Sequence, residues 1–81
     1  MTQRNKLIAK IMNGEQDGNI TFEELQKFLA AHGYELNRVA GSHFIFTRPA
    51  SKPFNIQRFE NGKAKRAQVR EIRDYFKNNN A

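Results

Sequence analysis

The hydrophobic period of this chain changes from helical to strand-like at Gly33-Tyr34, and that change limits the possible folds more than any other feature. Before it, Phe22, Leu25, Phe28 and Leu29 recur at the spacing of one helix face. Thr21 with Glu24 three residues on reads as a capping box at the start of that helix, with Ile20 as a hydrophobic staple, and Gly33 closes it. After the change, two strand-length runs, 34–40 and 43–48, flank Gly41-Ser42. Glycine in the first place of a two-residue connection predicts a type II′ hairpin, so the chain passes directly from a helix into antiparallel sheet.

The remaining elements follow from the same rules. Leu7, Ile8, Ile11 and Met12 share one face of an N-terminal helix over 1–12, which Asn13-Gly14 ends. A loop over 49–53 leads to a third strand, 54–59, where Phe54 and Ile56 alternate with Asn55 and Gln57; Asn61-Gly62 marks the next turn. Val69, Ile72 and Phe76 line the apolar face of a closing helix over 65–77, leaving 78–81 as a frayed tail. The order α-α-β-β-β-α with short connections predicts an α+β domain spanning 1–81, a three-stranded antiparallel sheet with helices packed on one face. Each face of the hairpin mixes apolar and polar side chains, so the pattern leaves open which face the helices cover. A chain of 81 residues has one small core, withdrawing roughly 60–65 % of the unfolded surface.

Composition narrows the chemistry. With no cysteine there is neither a disulfide framework nor a thiolate metal site, and two histidines, His32 and His43, do not make a multi-histidine centre. No apolar run reaches the length of a membrane span. The expected location is the reducing cytoplasm, with no membrane and no small-molecule ligand as partner. The net charge of +6 is uneven: residues 1–40 are balanced, whereas 41–81 hold nine basic side chains against three acidic ones. Such a localised field suits a polyanion, nucleic acid first.

Three features could carry function. Arg66, Arg70, Arg73 and Lys77 form a stripe along the closing helix, about a quarter-turn from its apolar face, and Lys63 and Lys65 precede it. That stripe can follow a phosphate backbone or be a solvated helix face. Residues 13–24 imitate the calcium loop of an EF-hand, with Gly18 at the sixth place and Glu24 at the twelfth, although Asn13 stands where an aspartate usually anchors the ion. The plainer reading is an inter-helix loop followed by its cap. His43 opens the second strand directly after the turn, on the side of Ile45 and Thr47 and opposite Phe44 and Phe46. An accessible imidazole there can exchange protons with a ribose hydroxyl or a leaving oxygen. His32, at a helix end, reads as favourable to the helix dipole and is given no function.

The run Gly41-Ser42-His43-Phe44-Ile45-Phe46, placed after Gly33-Tyr34 and a strand carrying Arg38, resembles the HicA family of bacterial toxins. The likeness continues through Phe54-Asn55-Ile56-Gln57 and Gly62-Lys63-Ala64-Lys65 into the closing helix, covering 7–76. It implies a fold like a double-stranded-RNA-binding domain and a metal-independent mRNA endoribonuclease that inhibits translation. His43 would be catalytic, and Gly41, Ser42, Lys63, Lys65, Arg66, Arg70 and Arg73 would contact RNA. The resemblance also implies a cognate HicB-type antitoxin that covers this surface. Many members carry a second histidine or a tyrosine after the motif, where this chain has Phe44 and Phe46; some carry a histidine after the third strand, where it has Phe59-Glu60. His43 would therefore act with lysines, arginines or substrate groups. A non-catalytic RNA-binding module is the alternative, and a calcium-binding interaction domain through 13–24 is a more distant one.

Overall fold

The structure, a computed structural model, describes residues 3–59 and 61–78. The helices are α1 (Gln3–Met12), α2 (Phe22–Ala31) and α3 (Arg66–Asn78), and the strands β1 (Glu35–Ala40), β2 (His43–Thr47) and β3 (Phe54–Gln57). The order is α-α-β-β-β-α, with a 3-10 turn at Asp17–Asn19 that the pattern did not announce. The strands pair antiparallel in sequence order, β1-β2-β3. Asn78, expected in the tail, closes α3, and 79–81 lie outside the described residues, as do residues 1 and 2 of the expected N-terminal helix.

The predicted caps are present. Glu24 N–H donates to Thr21 Oγ1 at 3.0 Å and Thr21 N–H to Glu24 Oε1 at 2.9 Å, closing the capping box. Ile20 and Leu25, the staple pair, are both buried. Gly41 has φ of +63° while Ser42 stays at negative φ, the sign pattern of a II′ turn. Ala40 pairs with His43 across it.

The question of faces is settled by the aromatic packing. Phe44 meets Phe22 of α2 at 4.7 Å between ring centroids, and Phe46, Phe54 and Ile56 are buried with Leu25, Phe28, Val69, Ile72 and Phe76. The helices therefore cover the Phe44/Phe46 side. By alternation His43, Ile45, Asn55 and Gln57 point the other way.

The sheet's two edges end differently. The outer edge of β3 is closed by one side chain: Gln57 N–H donates to Gln68 Oε1 at 3.0 Å, and Gln68 Nε2 donates to the Asn55 carbonyl at 2.9 Å. Gln68 thus stands in for a further strand residue and ties α3 to the segment that pairs with β2. At the opposite edge β1 is exposed throughout and carries an irregularity between Leu36 and Arg38. Such a bulge twists a free edge away from unwanted pairing.

Candidate nucleic-acid interface

His43 stands at the mouth of the hairpin, exposed, with Gln57 opposite it on β3. Its Nδ1 lies 3.0 Å from Asn55 Oδ1. An amide oxygen only accepts, so this pair requires the proton on Nδ1 and leaves Nε2 with its lone pair. Nε2 has no hydrogen-bond partner among the described residues. The imidazole is thus oriented by one nitrogen and open at the other, the arrangement a general base needs.

Beyond β3 the chain doubles back. Arg58 bridges antiparallel to Ala64, and Phe59 N–H donates to the Lys63 carbonyl at 3.2 Å. Opposed residues in such a ladder share a side, so the buried Ala64 fixes the inward side, and Gln57, Phe59, Lys63 and Lys65 fall on the outward one. The Lys65 ammonium, 5.7 Å from the Phe59 ring centroid, agrees with that placement. The turn is held from beneath, because Phe22 N–H donates to the Gly62 carbonyl at 2.8 Å and Ala64 N–H to the Ile20 carbonyl at 3.0 Å. Lys63 and Lys65 accordingly share the outward face with His43.

The basic stripe of α3 divides. Arg66 and Arg70 are exposed and form no ion pair among the described residues. With Gly14, Glu15, Asp17 and Gly18 they line a cleft of about 560 Å³. Arg66 lies close over Gly18: a Cβ there would come within 2.5 Å of its Nη2, so a larger residue at 18 would displace the exposed guanidinium. Arg73, expected to bind RNA with them, is corrected by the structure to a structural role. It is only 9 % exposed, and its Nη1 donates to Asp17 Oδ1 at 2.7 Å and to the Ile11 carbonyl at 3.3 Å. The physical reason is azimuth: of the stripe, Arg73 stands nearest the buried face, about 40° from Val69 at ~100° per residue. The 13–20 loop covers that side of α3.

The same contacts answer for the calcium-like loop. Asp17 holds the Arg73 guanidinium, Asn13 Oδ1 accepts from Glu15 N–H at 2.8 Å, and both Glu24 oxygens are held by Lys10 Nζ, at 2.9 and 3.1 Å. Protein donors occupy the oxygens a calcium ion would require, which favours the plain inter-helix loop. A second groove, about 670 Å³ between α1 and α2 and lined by Lys6, Leu7, Lys10, Glu24 and Lys27, has no sheet residue in its walls.

Asn55 and Phe59 of this face, and Gln68 at the edge of β3, were absent from the sequence-based set. Asn55 becomes visible only once the register is known, because His43 opposite Gln57 makes it the diagonal neighbour. His32 has a packing role: its ring lies between Phe28 and Phe76, with centroids at 4.5 and 4.3 Å, and its Nδ1 is 2.9 Å from the Phe28 carbonyl. Comparison with protein families, with curated proteins and with solved structures found no match.

Proposed function

We propose that this chain is an mRNA endoribonuclease working without a metal, with His43 as general base, and that it acts as a HicA-type toxin restrained by a small HicB-type antitoxin. The observation that carries the reading is the imidazole at the hairpin mouth, tied through Nδ1 to Asn55 and free at Nε2, on the face shared with Lys63 and Lys65. The Gly41-Ser42-His43 run within a HicA-like order of elements supports it.

In this mechanism the phosphodiester lies across Gly41-Ser42. His43 Nε2 takes the 2′-hydroxyl proton, the 2′ oxygen attacks the adjacent phosphorus, and the bond to the 5′ oxygen breaks. The departing oxygen takes its proton from the imidazolium just formed or from water. The products are a 2′,3′-cyclic phosphate and a 5′-hydroxyl. Lys63 and Lys65 offset the negative charge that grows on the phosphoryl oxygens, while Arg66 and Arg70 hold backbone further along.

The test is cleavage of a long single-stranded RNA by the purified protein in EDTA, beside His43→Ala. Removing a general base lowers the rate by about 10²–10⁴-fold; a variant that kept near-full activity would end the assignment. The buried Phe46, where many HicA relatives place a polar group, favours a second reading, an RNA-binding module without catalysis. Salt-sensitive RNA binding with no scission by the wild type would select it. The partner is tested separately: a small acidic protein encoded beside this chain should co-purify with it and stop cleavage. Among the described residues no helix is long and apolar enough to cross a membrane.

A further inference from the structure

Among the described residues three large apolar side chains are exposed: Leu36 at 46 %, Val39 at 50 % and Phe59 at 42 %. Leu36 and Val39 are aliphatic and lie on the open edge strand. Phe59 is the aromatic one, and it is held outward by its backbone. Its N–H donates to the Lys63 carbonyl at 3.2 Å, and its carbonyl accepts from Gly62 N–H at 3.0 Å. Lys63 N–H donates to Asn61 Oδ1 at 2.9 Å, tightening the same turn. With both peptide groups fixed and Arg58 bridged to Ala64, the ring has no route into the core. The ring is also flanked by positive charge: Lys65 Nζ lies 5.7 Å from its centroid, and Lys63 stands opposite Phe59 in the ladder.

An aromatic face beside ammonium groups matches a nucleotide, with a base for the ring and a phosphate for the cations. We infer that Phe59 is a stacking platform for an unpaired base, and that the RNA this surface takes is single-stranded. This rests on the RNA-binding reading above. Phe59 follows two residues after Gln57, which pairs with His43, so at ~3.3 Å per residue along the strand and ~5 Å across it the Cα atoms of Phe59 and His43 lie within about 10 Å of each other. It therefore receives a base close to the scissile phosphate and keeps that strand unstacked, as in-line attack by a 2′ oxygen requires. An A-form duplex offers no such base, since its faces are covered by neighbours. Stacking on an aromatic tolerates any base, so Phe59 selects strandedness and leaves sequence unread.

The test uses the full chain carrying His43→Ala, so that RNA stays intact, with short single-stranded RNA bearing 2-aminopurine and a duplex of the same length. Phe59→Ala should weaken single-strand binding by about 5- to 150-fold, the range of base–aromatic stacking, and abolish the quenching of 2-aminopurine. Phe59→Leu should lose the quenching as well, because it keeps apolar area without a π-face, and Phe59→Trp should restore it. Duplex binding should change less than twofold. Unchanged single-strand affinity in Phe59→Ala, with the parent still binding in a salt-sensitive way, overturns the stacking role and leaves the RNA reading intact. Equal losses on single strand and duplex overturn it too, since they mark a general charge surface. If the parent binds neither RNA at any salt concentration, the RNA reading fails and this inference with it.

Discussion

Arg66 and Arg70 stand on the same stripe of α3 as Arg73, yet the first pair faces an open cleft while the last is enclosed by Asp17 and the Ile11 carbonyl. The two histidines repeat the contrast. His32 is packed between Phe28 and Phe76, whereas His43 touches one amide and solvent. In both cases one member holds the fold together and the other is available to a partner. The comparison teaches that residue type and helical spacing set where a cation points, while the element that comes to lie over it decides its use. Here the 13–20 loop makes that decision for α3: its Asp17 engages Arg73 at the edge nearest the apolar face, whereas along Arg66 and Arg70 the same loop leaves an open cleft.

The largest effect expected from breaking this division is at Arg73. Arg73→Ala leaves Asp17 without its partner in a poorly hydrated place, which costs about 3–5 kcal/mol, a large share of the ~5–15 kcal/mol that holds a domain folded. Urea unfolding measures it, and Asp17→Asn combined with Arg73→Met should recover part of the loss. An Arg73→Ala protein as stable as the wild type, with weakened RNA binding, would return Arg73 to the phosphate-binding set.

Next in size is Asn55, which on the proposed reading positions His43. Asn55→Ala frees the imidazole to rotate and should lower cleavage by roughly 10- to 100-fold, the scale of losing alignment at a reacting group, with the melting temperature unchanged. Asn55→Asp keeps an acceptor beside Nδ1 and should recover most of that rate. An aspartate variant as slow as the alanine one would mean that the Nδ1 contact does not orient the imidazole.

Arg70→Ala sharpens the other side of the comparison. With no ion pair to lose, it should change stability by no more than about 0.5 kcal/mol. It should reduce the slope of log affinity against log salt by about one, as one phosphate contact does. Measured beside Arg73→Ala, the pair should show opposite profiles: affinity without stability for Arg70, stability without affinity for Arg73.

Much of the fold was legible because its signals are local. Thr21 and Glu24 mark a helix start within four residues, Gly41-Ser42 marks a hairpin, and the change of period at Gly33-Tyr34 separates helix from sheet. What stayed hidden depends on contacts between distant segments. The covered face of the sheet follows from Phe22 meeting Phe44, the orientation of His43 from a register that brings Asn55 alongside, and the fate of Arg73 from a loop 56 positions earlier. Alternation from Phe54 and Ile56 already puts Phe59 on the outward side; what the sequence does not show is the Arg58–Ala64 bridge that holds it there. The place of His43 directly after a turn was legible from a local signal, whereas the amide beside it was not.

The smallest effect concerns Glu24, which ties the 13–24 segment to α1. Burial pushes its carboxyl upward, but the Thr21 backbone N–H and the Lys10 ammonium together hold it below its ordinary value of 4.5. A carboxyl lowered in the folded state contributes stability that is fully present above 4.5 and is lost as pH falls through the lower, folded value. Glu24→Gln can still make the capping hydrogen bond, so it isolates the charge. The variant should be less stable than the wild type at neutral pH by a few tenths to about 1 kcal/mol, the scale of a partly exposed ion pair. That gap should close as the solution is taken below 4.5. A gap constant through the acid range would mean that the carboxylate acts through its geometry alone, and that the Lys10 contact adds nothing to the hold of α1 on α2. If calcium widened the gap at neutral pH and raised the wild-type melting temperature, the 13–24 loop would be binding an ion in place of its own lysine and arginine.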